Sequence, residues 1–221
     1  MEIEILYSDA DIAVCVKSAG IISESGGMPE LLSAQLGGEF YCVHRLDLEV
    51  GGVMVYARSS RAAAVLSGQI ASGVFTKEYL CLVPVGPASP EGRYEDLLFH
   101  DRQRNKSFVV RRMRRGVKEA SLDYRRLTSA PRGDNRLSLL AIRLNTGRTH
   151  QIRVQLASRG MPIAGDARYG SALRLRSMAL WSARIGFEMP RTGERRLFSA
   201  PPPAGRPWDG FEDEINAYLG G

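Results

Sequence analysis

Two adjacent glycines followed by an unbroken apolar run, Gly51-Gly52-Val53-Met54-Val55-Tyr56-Ala57, constrain this chain more than any other stretch. A run with no polar residue on either face suits a strand covered on both sides, so Val53 to Ala57 reads as a core strand. The glycines permit a tight backbone and close approach of a ligand where that strand starts. Immediately before them, Tyr41-Cys42-Val43-His44-Arg45-Leu46-Asp47-Leu48-Glu49-Val50 packs His, Arg and Asp into four positions. A carboxylate beside cationic or protonatable groups tends to stay ionised. Alone, the stretch reads equally as a charged turn feeding a core strand and as a catalytic loop held rigid by one.

The 221 residues suffice for an ample core, and no repeat, low-complexity tract or linker divides them, so residues 1–221 are expected to form a single domain. No apolar run approaches a membrane span, and Met1-Glu2-Ile3-Glu4 is acidic where a signal peptide is basic, so the cytoplasm is the expected location. Cys15, Cys42 and Cys81 are odd in number, far apart and embedded in apolar runs, as reduced core cysteines are. The net charge of +6 comes mostly from arginine, since Lys17, Lys77, Lys106 and Lys118 are the only lysines. Arginine's planar fork suits phosphates and stacking on bases. Arg102, Arg104, Lys106, Arg111, Arg112, Arg114, Arg115 and Lys118 follow one another with no carboxylate between them. Self-repulsion of that kind is relieved by a polyanion, and nucleic acid is the expected partner; the plainer reading is a solvated hairpin face.

In chain order, Ile3–Tyr7 and Asp11–Val16 read as paired strands, Glu30–Leu36 as a short helix, Ser60–Ile70 as a surface helix and Thr76–Val85 as a strand with Lys77 and Tyr79 on one face. Pro84–Gly92 reads as a loop opening the basic stretch, in which Phe108-Val109-Val110 marks a strand. Ala120, Leu122 and Tyr124 alternate with polar neighbours as in a half-buried strand, and Arg136–Leu144 forms another. In Asn145-Thr146-Gly147-Arg148-Thr149-His150-Gln151-Ile152-Arg153 the period changes to helical. Gly147 and Thr149 are expected to start a helix with one apolar and one polar face, its free N–H groups suited to an anion. Gly160–Gly170 reads as a loop, Ala179–Glu188 as a strand or short helix, and Phe211–Leu219 as a closing acidic helix.

On these residues the chain resembles the RluA-type pseudouridine synthases, from about Asp11 to Pro203. His44-Arg45-Leu46-Asp47 is similar to the signature around the catalytic aspartate, Lys77-Glu78-Tyr79 to the Lys-x-Tyr motif, and Thr146 to Arg153 to the third motif. Gly165-Asp166 to Tyr169-Gly170 and Thr192-Gly193-Glu194 to Ala200-Pro201 fit later segments. The resemblance implies an α/β protein of the α+β type, the pseudouridine synthase fold, with a central, mainly antiparallel mixed sheet, flanking helices and an active-site cleft. It implies Asp47 as the catalytic aspartate, Tyr79 stacking on the target base, Arg153 paired with Asp47, and Arg45 replacing the flipped nucleotide. His44, Lys77, Arg148, Thr149 and His150 are the other motif residues expected at the RNA, alongside the basic stretch. The implied substrate is structured ribosomal or transfer RNA, handled by a monomer that needs neither a metal nor an organic cofactor.

Leu48, Glu49, Val50, Gly51 and Gly52 stand where the family usually has a basic residue and then Thr-Ser-Gly, removing a positive charge and two hydroxyls beside Asp47. The N-terminus reads as too short for the small S4-type RNA-binding domain of many relatives, so RNA affinity is expected to fall to Arg102–Lys118. Two other readings compete. One is a non-catalytic RNA-binding or chaperone protein on the same scaffold. The other is a metal-dependent hydrolase built from His44, Asp47, His100 and His150, which lack the spacing that puts two ligands on one helix.

Overall fold

The computed structural model describes residues 2–132 and 135–220, so Met1 of the acidic N-terminus lies outside the described residues. The N-terminal hairpin is β1 (Ile5–Ser8) and β2 (Ile12–Lys17). Its turn is held by the Asp9 carboxylate, which accepts the N–H groups of Asp11 and Ile12 at 2.8 Å each. Helix α1 (Met28–Leu36) starts two residues earlier than its apolar pattern indicates. Glu30 folds back to accept the N–H groups of Gly26 and Gly27 at 2.9 and 3.0 Å, satisfying donors that a helix start leaves open.

The two-residue strand β3 (Tyr41–Cys42) and β4 (Gly51–Ala57) flank the charged loop. Helix α2 (Ser60–Ser72) is capped by Ser59 Oγ, which accepts from Ala62 N at 3.2 Å, and ends at left-handed Gly73. There follow β5 (Thr76–Val83), β6 (Glu91–Asp101), β7 (Lys106–Val110), β8 (Val117–Arg132), β9 (Asn135–Leu144) and α3 (Gln151–Ala157). A 3-10 turn at Ala167–Tyr169, β10 (Leu180–Glu188), β11 (Arg195–Ser199) and α4 (Glu212–Gly220) complete the chain. The fold is therefore α/β with mainly antiparallel strand pairing and four α-helices among the described residues.

The chain divides into two compact units. The first comprises Met1–Lys77, Trp181–Pro203 and Ile215–Gly221. Its strands run β1-β2-β4-β10, with β11 on β10 and β3 on β4. All seven residues of β4 are buried, as the continuous apolar run requires. One edge of β4 pairs antiparallel with β2, from Ile12↔Ala57 to Lys17↔Gly52. The other edge is shared by β3 at Tyr56 and Ala57 and by β10, in parallel, at Gly51 and Gly52. Val53, Val55, Leu66, Phe75, Ile185 and Phe187 form the core of this unit. Cys15 is buried there, whereas Cys42 is only half-buried, so the expectation of three core cysteines holds for Cys15 and Cys81.

The second unit comprises Glu78–Leu180 and Ala204–Glu214. Its strands run β5-β9-β8-β6-β7. The long β8 pairs antiparallel with β9 and with β6, and β6 forms a hairpin with β7 from Leu97↔Val110 to Asp101↔Lys106. Helix α3 lies against β6 and β7, where Leu98, Ala120 and Val154 make a small cluster with Tyr169 packed on it.

The close β4–β10 approach rests on Gly52, whose φ is +127° and whose Cβ, were there one, would overlap the Ser182 carbonyl. Gly52→Ala is expected to lose about 3 kcal/mol or more in urea unfolding. Gly68→Ala, in α2 with nothing within 4 Å, is expected to gain about 0.5–1 kcal/mol.

Candidate active site

In the first unit the candidate loop is pinned from below. Ser23 Oγ accepts from Leu46 N at 3.1 Å and donates to Leu46 O at 2.9 Å, and Tyr56, buried in β4, donates its hydroxyl to Ser23 O at 2.9 Å. Leu46 and Val50 point inward, and a turn closed by Val50 N donating to Asp47 O at 3.0 Å leaves Asp47 half-buried between them. Arg45 stands exposed next to it, paired with Glu24 at 3.1 Å. Leu48, at the position of the family's basic residue, is half exposed, and Gly20 N donates to its carbonyl at 2.7 Å.

His44 is buried against Phe75, and its Nε2 accepts the Val55 N–H at 3.3 Å. Burial, aided by the Lys77 charge, pushes its pKa down to about 3, so the ring is neutral. With Nε2 accepting, the proton belongs on Nδ1, which is buried without a hydrogen-bond partner among the described residues. Lys77, half-buried on β5, has its ammonium 5.6 Å from the centre of the Phe75 ring, and burial lowers its pKa. The structure adds Lys17 to this group. Its ammonium is buried and donates to the carbonyls of Ser18 and Ile21 at 3.1 and 2.8 Å. Burial pulls its pKa to about 8 against the opposing pull of Asp47 and Glu49.

In the second unit Tyr79 is buried on β5. The start of α3 differs from expectation. The helix begins at Gln151, and its cap is His150 in the left-handed conformation with φ 54°, not Gly147 or Thr149. The preceding turn is closed by the Gln151 side chain, whose Oε1 accepts from Thr146 Oγ1 at 2.8 Å and Arg148 N at 3.0 Å while its Nε2 donates to Ser121 O at 3.0 Å. Arg148 N is thus taken up within the turn rather than left free for an anion. Arg148 and Thr149 are half-buried, and Arg148 Nε donates to Glu119 O at 2.9 Å.

The expected polar face of α3 is also buried. Residues 151–156 are all enclosed, and Arg153 is held by Asp166 through Nε–Oδ2 at 2.7 Å and Nη2–Oδ1 at 2.9 Å. His150, buried too, has Nδ1 3.1 Å from the Tyr169 hydroxyl. Lys17 carried little signal in the sequence, where it closes an apolar strand; Asp166 lies in the Gly165-Asp166 to Tyr169-Gly170 segment, but its pairing with Arg153, thirteen residues earlier, left no local trace.

The basic stretch is split by its own secondary structure. Arg102 and Arg104 lie in the β6–β7 turn, and Arg111, Arg112, Arg114 and Arg115 in the β7–β8 connection, all exposed. Five residues of β7 put the two groups about 17 Å apart. Lys106 is half-buried, its ammonium 5.2 Å from the Tyr169 ring centre, and Arg104 Nε lies 3.7 Å from Asp101. Among the described residues no three His, Cys, Asp or Glu side chains converge on a point that could hold a metal ion.

The sequence profile described as RNA pseudouridylate synthase matches residues 11–158, a span that takes in Asp47, Tyr79 and Arg153. The chain belongs to the RNA pseudouridylate synthase family. RNA pseudouridine synthase YhcT of Bacillus subtilis (strain 168) is 32% identical over 216 residues, covering 92% of this chain and 70% of that one. Ribosomal large subunit pseudouridine synthase D of Xanthomonas campestris pv. campestris is 33% identical over 227 residues, covering 91% and 66%. The solved human RNA pseudouridylate synthase domain containing 1 shares the fold, with a TM-score of 0.79 at 22% identity over 91% of this chain and 84% of that one. Membership makes the chain an RNA-modifying isomerase and sets aside the non-catalytic alternative.

Two outcomes follow from the buried charges. Asp166→Asn leaves Arg153 charged against a neutral partner and is expected to cost about 3 kcal/mol in urea unfolding, part of which the double change Arg153→Met, Asp166→Leu restores. For His44, with a folded pKa of about 3 against 6.5 normally, stability is fully present above pH 6.5 and is lost as pH falls towards 3. Lowering the pH to about 5 is expected to cost about 2 kcal/mol through this ring. That contribution disappears in His44→Gln, which keeps an acceptor for Val55 N–H.

Proposed function

We propose that this chain converts uridines in structured RNA to pseudouridine, with ribosomal RNA the first candidate and transfer RNA the second. The reaction breaks the N1–C1′ bond, turns the uracil and joins C5 to C1′; C5 gives up its proton and N1 takes one up, so the product is an isomer of the substrate. No electrons are exchanged, so a carboxylate and well-placed proton transfers suffice. The family match across residues 11–158 carries this reading, and the ribosomal substrate follows the names of relatives such as the Xanthomonas synthase.

Asp47 is the catalytic carboxylate, acting at the sugar as nucleophile or base. Its half-buried turn, fixed by Ser23 and Tyr56, is the preorganisation such a step needs. Tyr79 supplies the aromatic ring that meets the flipped base, and Arg153 is the fixed cation of the site. Extruding the nucleotide costs a few kcal/mol, which stacking and polar contacts offset. Arg45 fills the vacated place in the RNA, and its exposed pair with Glu24 is weak enough to give way. Lys77, His44, Arg148, Thr149 and His150 support the RNA-facing motifs. Arg102, Arg104, Lys106, Arg111, Arg112, Arg114 and Arg115 bind phosphates, and the two units together constitute the catalytic domain.

Tritium release from ribosomal and transfer RNA labelled at uridine C5 tests the proposal. The wild type is expected to release tritium, and Asp47→Ala and Asp47→Asn to lose at least about a thousandfold in rate. Equal release by Asp47→Ala would remove the aspartate from the chemistry, and no release by the wild type from either RNA would remove the activity.

A further inference from the structure

Residues 166–169 hold three things at once. Asp166 grips the Arg153 guanidinium at 2.7 and 2.9 Å, and its Oδ1 also accepts Tyr169 N at 3.3 Å. Arg168 Nη1 donates to the carbonyls of Arg104 and Asn105 at 3.4 and 3.2 Å, in the basic β6–β7 turn. The Tyr169 hydroxyl accepts Ser107 N at 2.8 Å on β7 and lies 3.3 Å from Ser107 O and 3.1 Å from His150 Nδ1. The Tyr169 ring lies 5.2 Å from the Arg153 guanidinium carbon and 5.2 Å from the Lys106 ammonium.

Proton counting shows how closely these contacts are interlocked. Ser107 Oγ gives its proton to Thr149 O at 2.6 Å, so His100 Nδ1, 3.2 Å from that oxygen, is the donor to it. The Tyr169 hydroxyl has one proton for Ser107 O or His150 Nδ1, and its oxygen accepts Ser107 N in either case. The hairpin strand, the residue that caps α3 and the turn that holds Arg153 therefore converge on one hydroxyl.

We infer that Tyr169 is a positioning residue: its hydroxyl joins the basic β6–β7 hairpin to the Asp166–Arg153 pair, so that RNA drawn onto the hairpin sets the orientation of Arg153. The inference rests on the proposed function for its catalytic consequence and on geometry alone for the coupling. RNA on Arg102, Arg104 and Lys106 pulls on strand β7 and its turn, and the only polar side chains of the 3-10 turn, Arg168 and Tyr169, pass that displacement to Asp166. A guanidinium displaced by a fraction of an ångström is enough to slow a preorganised step.

Tyr169→Phe tests this, because it removes the hydroxyl and keeps the ring against Arg153 and Lys106. In wild type, a short uridine-containing RNA stem-loop is expected to shift the Arg153 Nε–H resonance. In the variant at least about half of that shift is lost, kcat for tritium release falls about tenfold and RNA affinity stays within about twofold. Arg168→Ala, an exposed change that leaves the core intact, is expected to weaken the same shift. An undiminished shift in either variant overturns the coupling, as does a fall in affinity that accounts for the whole loss of rate. If the wild type releases no tritium yet its Arg153 shift depends on Tyr169, the coupling stands and the proposed activity does not.

Discussion

A guanidinium removed from water must meet a carboxylate in good geometry, and much of the second unit is arranged around that requirement. Arg153 has 2% of its surface exposed, and Asp166 meets it with two parallel hydrogen bonds. Because the pair is satisfied, residues 151–156 of α3 can all be enclosed although three of the seven residues of the helix are polar. Gln151 closes the turn before the helix and Gln155 donates to Asp96 at 2.8 Å, although Gln155 Oε1 is buried without a hydrogen-bond partner among the described residues. The helix is seven residues long, too short to persist by its own propensity, and the tertiary contacts of its polar side chains keep it in place.

The first unit solves a related problem with backbone groups. Lys17 is buried, yet its ammonium is met by two carbonyls and by the field of Asp47 and Glu49. Ser23 answers both the N–H and the carbonyl of Leu46, and Tyr56 secures Ser23 from the core. The loop that carries Asp47 is thereby anchored to β4, all of whose residues are buried, which limits how far its carboxylate can wander. His44 is the exception, with a buried N–H left unmet among the described residues.

What could be read from the residues follows from the range of the forces involved. Strand β4 was legible because burial on both faces leaves an apolar run, and α2 because its alanines and Leu66 fall at helical spacing. Strand β6 was not: Glu91-Gly92-Arg93-Tyr94-Glu95-Asp96 is charged and mostly exposed, and it is extended because it has β8 and β7 to pair with. Strand β10 stayed open between strand and helix because a short apolar run fits both. The helical period before Ala157 was right, but which side would be wet was not, since Asp166 comes from a later loop. Motif residues, Asp166 and Tyr169 among them, could be named from the sequence; that Asp166 holds Arg153, that Ser23 holds Leu46 and that Lys17 lies in the field of Asp47 are set by contacts distant along the chain and leave only a faint local pattern.

If the basic stretch binds RNA as proposed, its division by β7 bears on how that polyanion is gripped. Arg102 and Arg104 at one end and the arginines at 111, 112, 114 and 115 at the other are two contact zones joined by a rigid strand pair. Once one zone is engaged, the other meets the same strand of nucleic acid at a high effective concentration. Release then requires both ends to let go within the same interval, so residence time responds far more steeply to salt than the charge at either end alone implies.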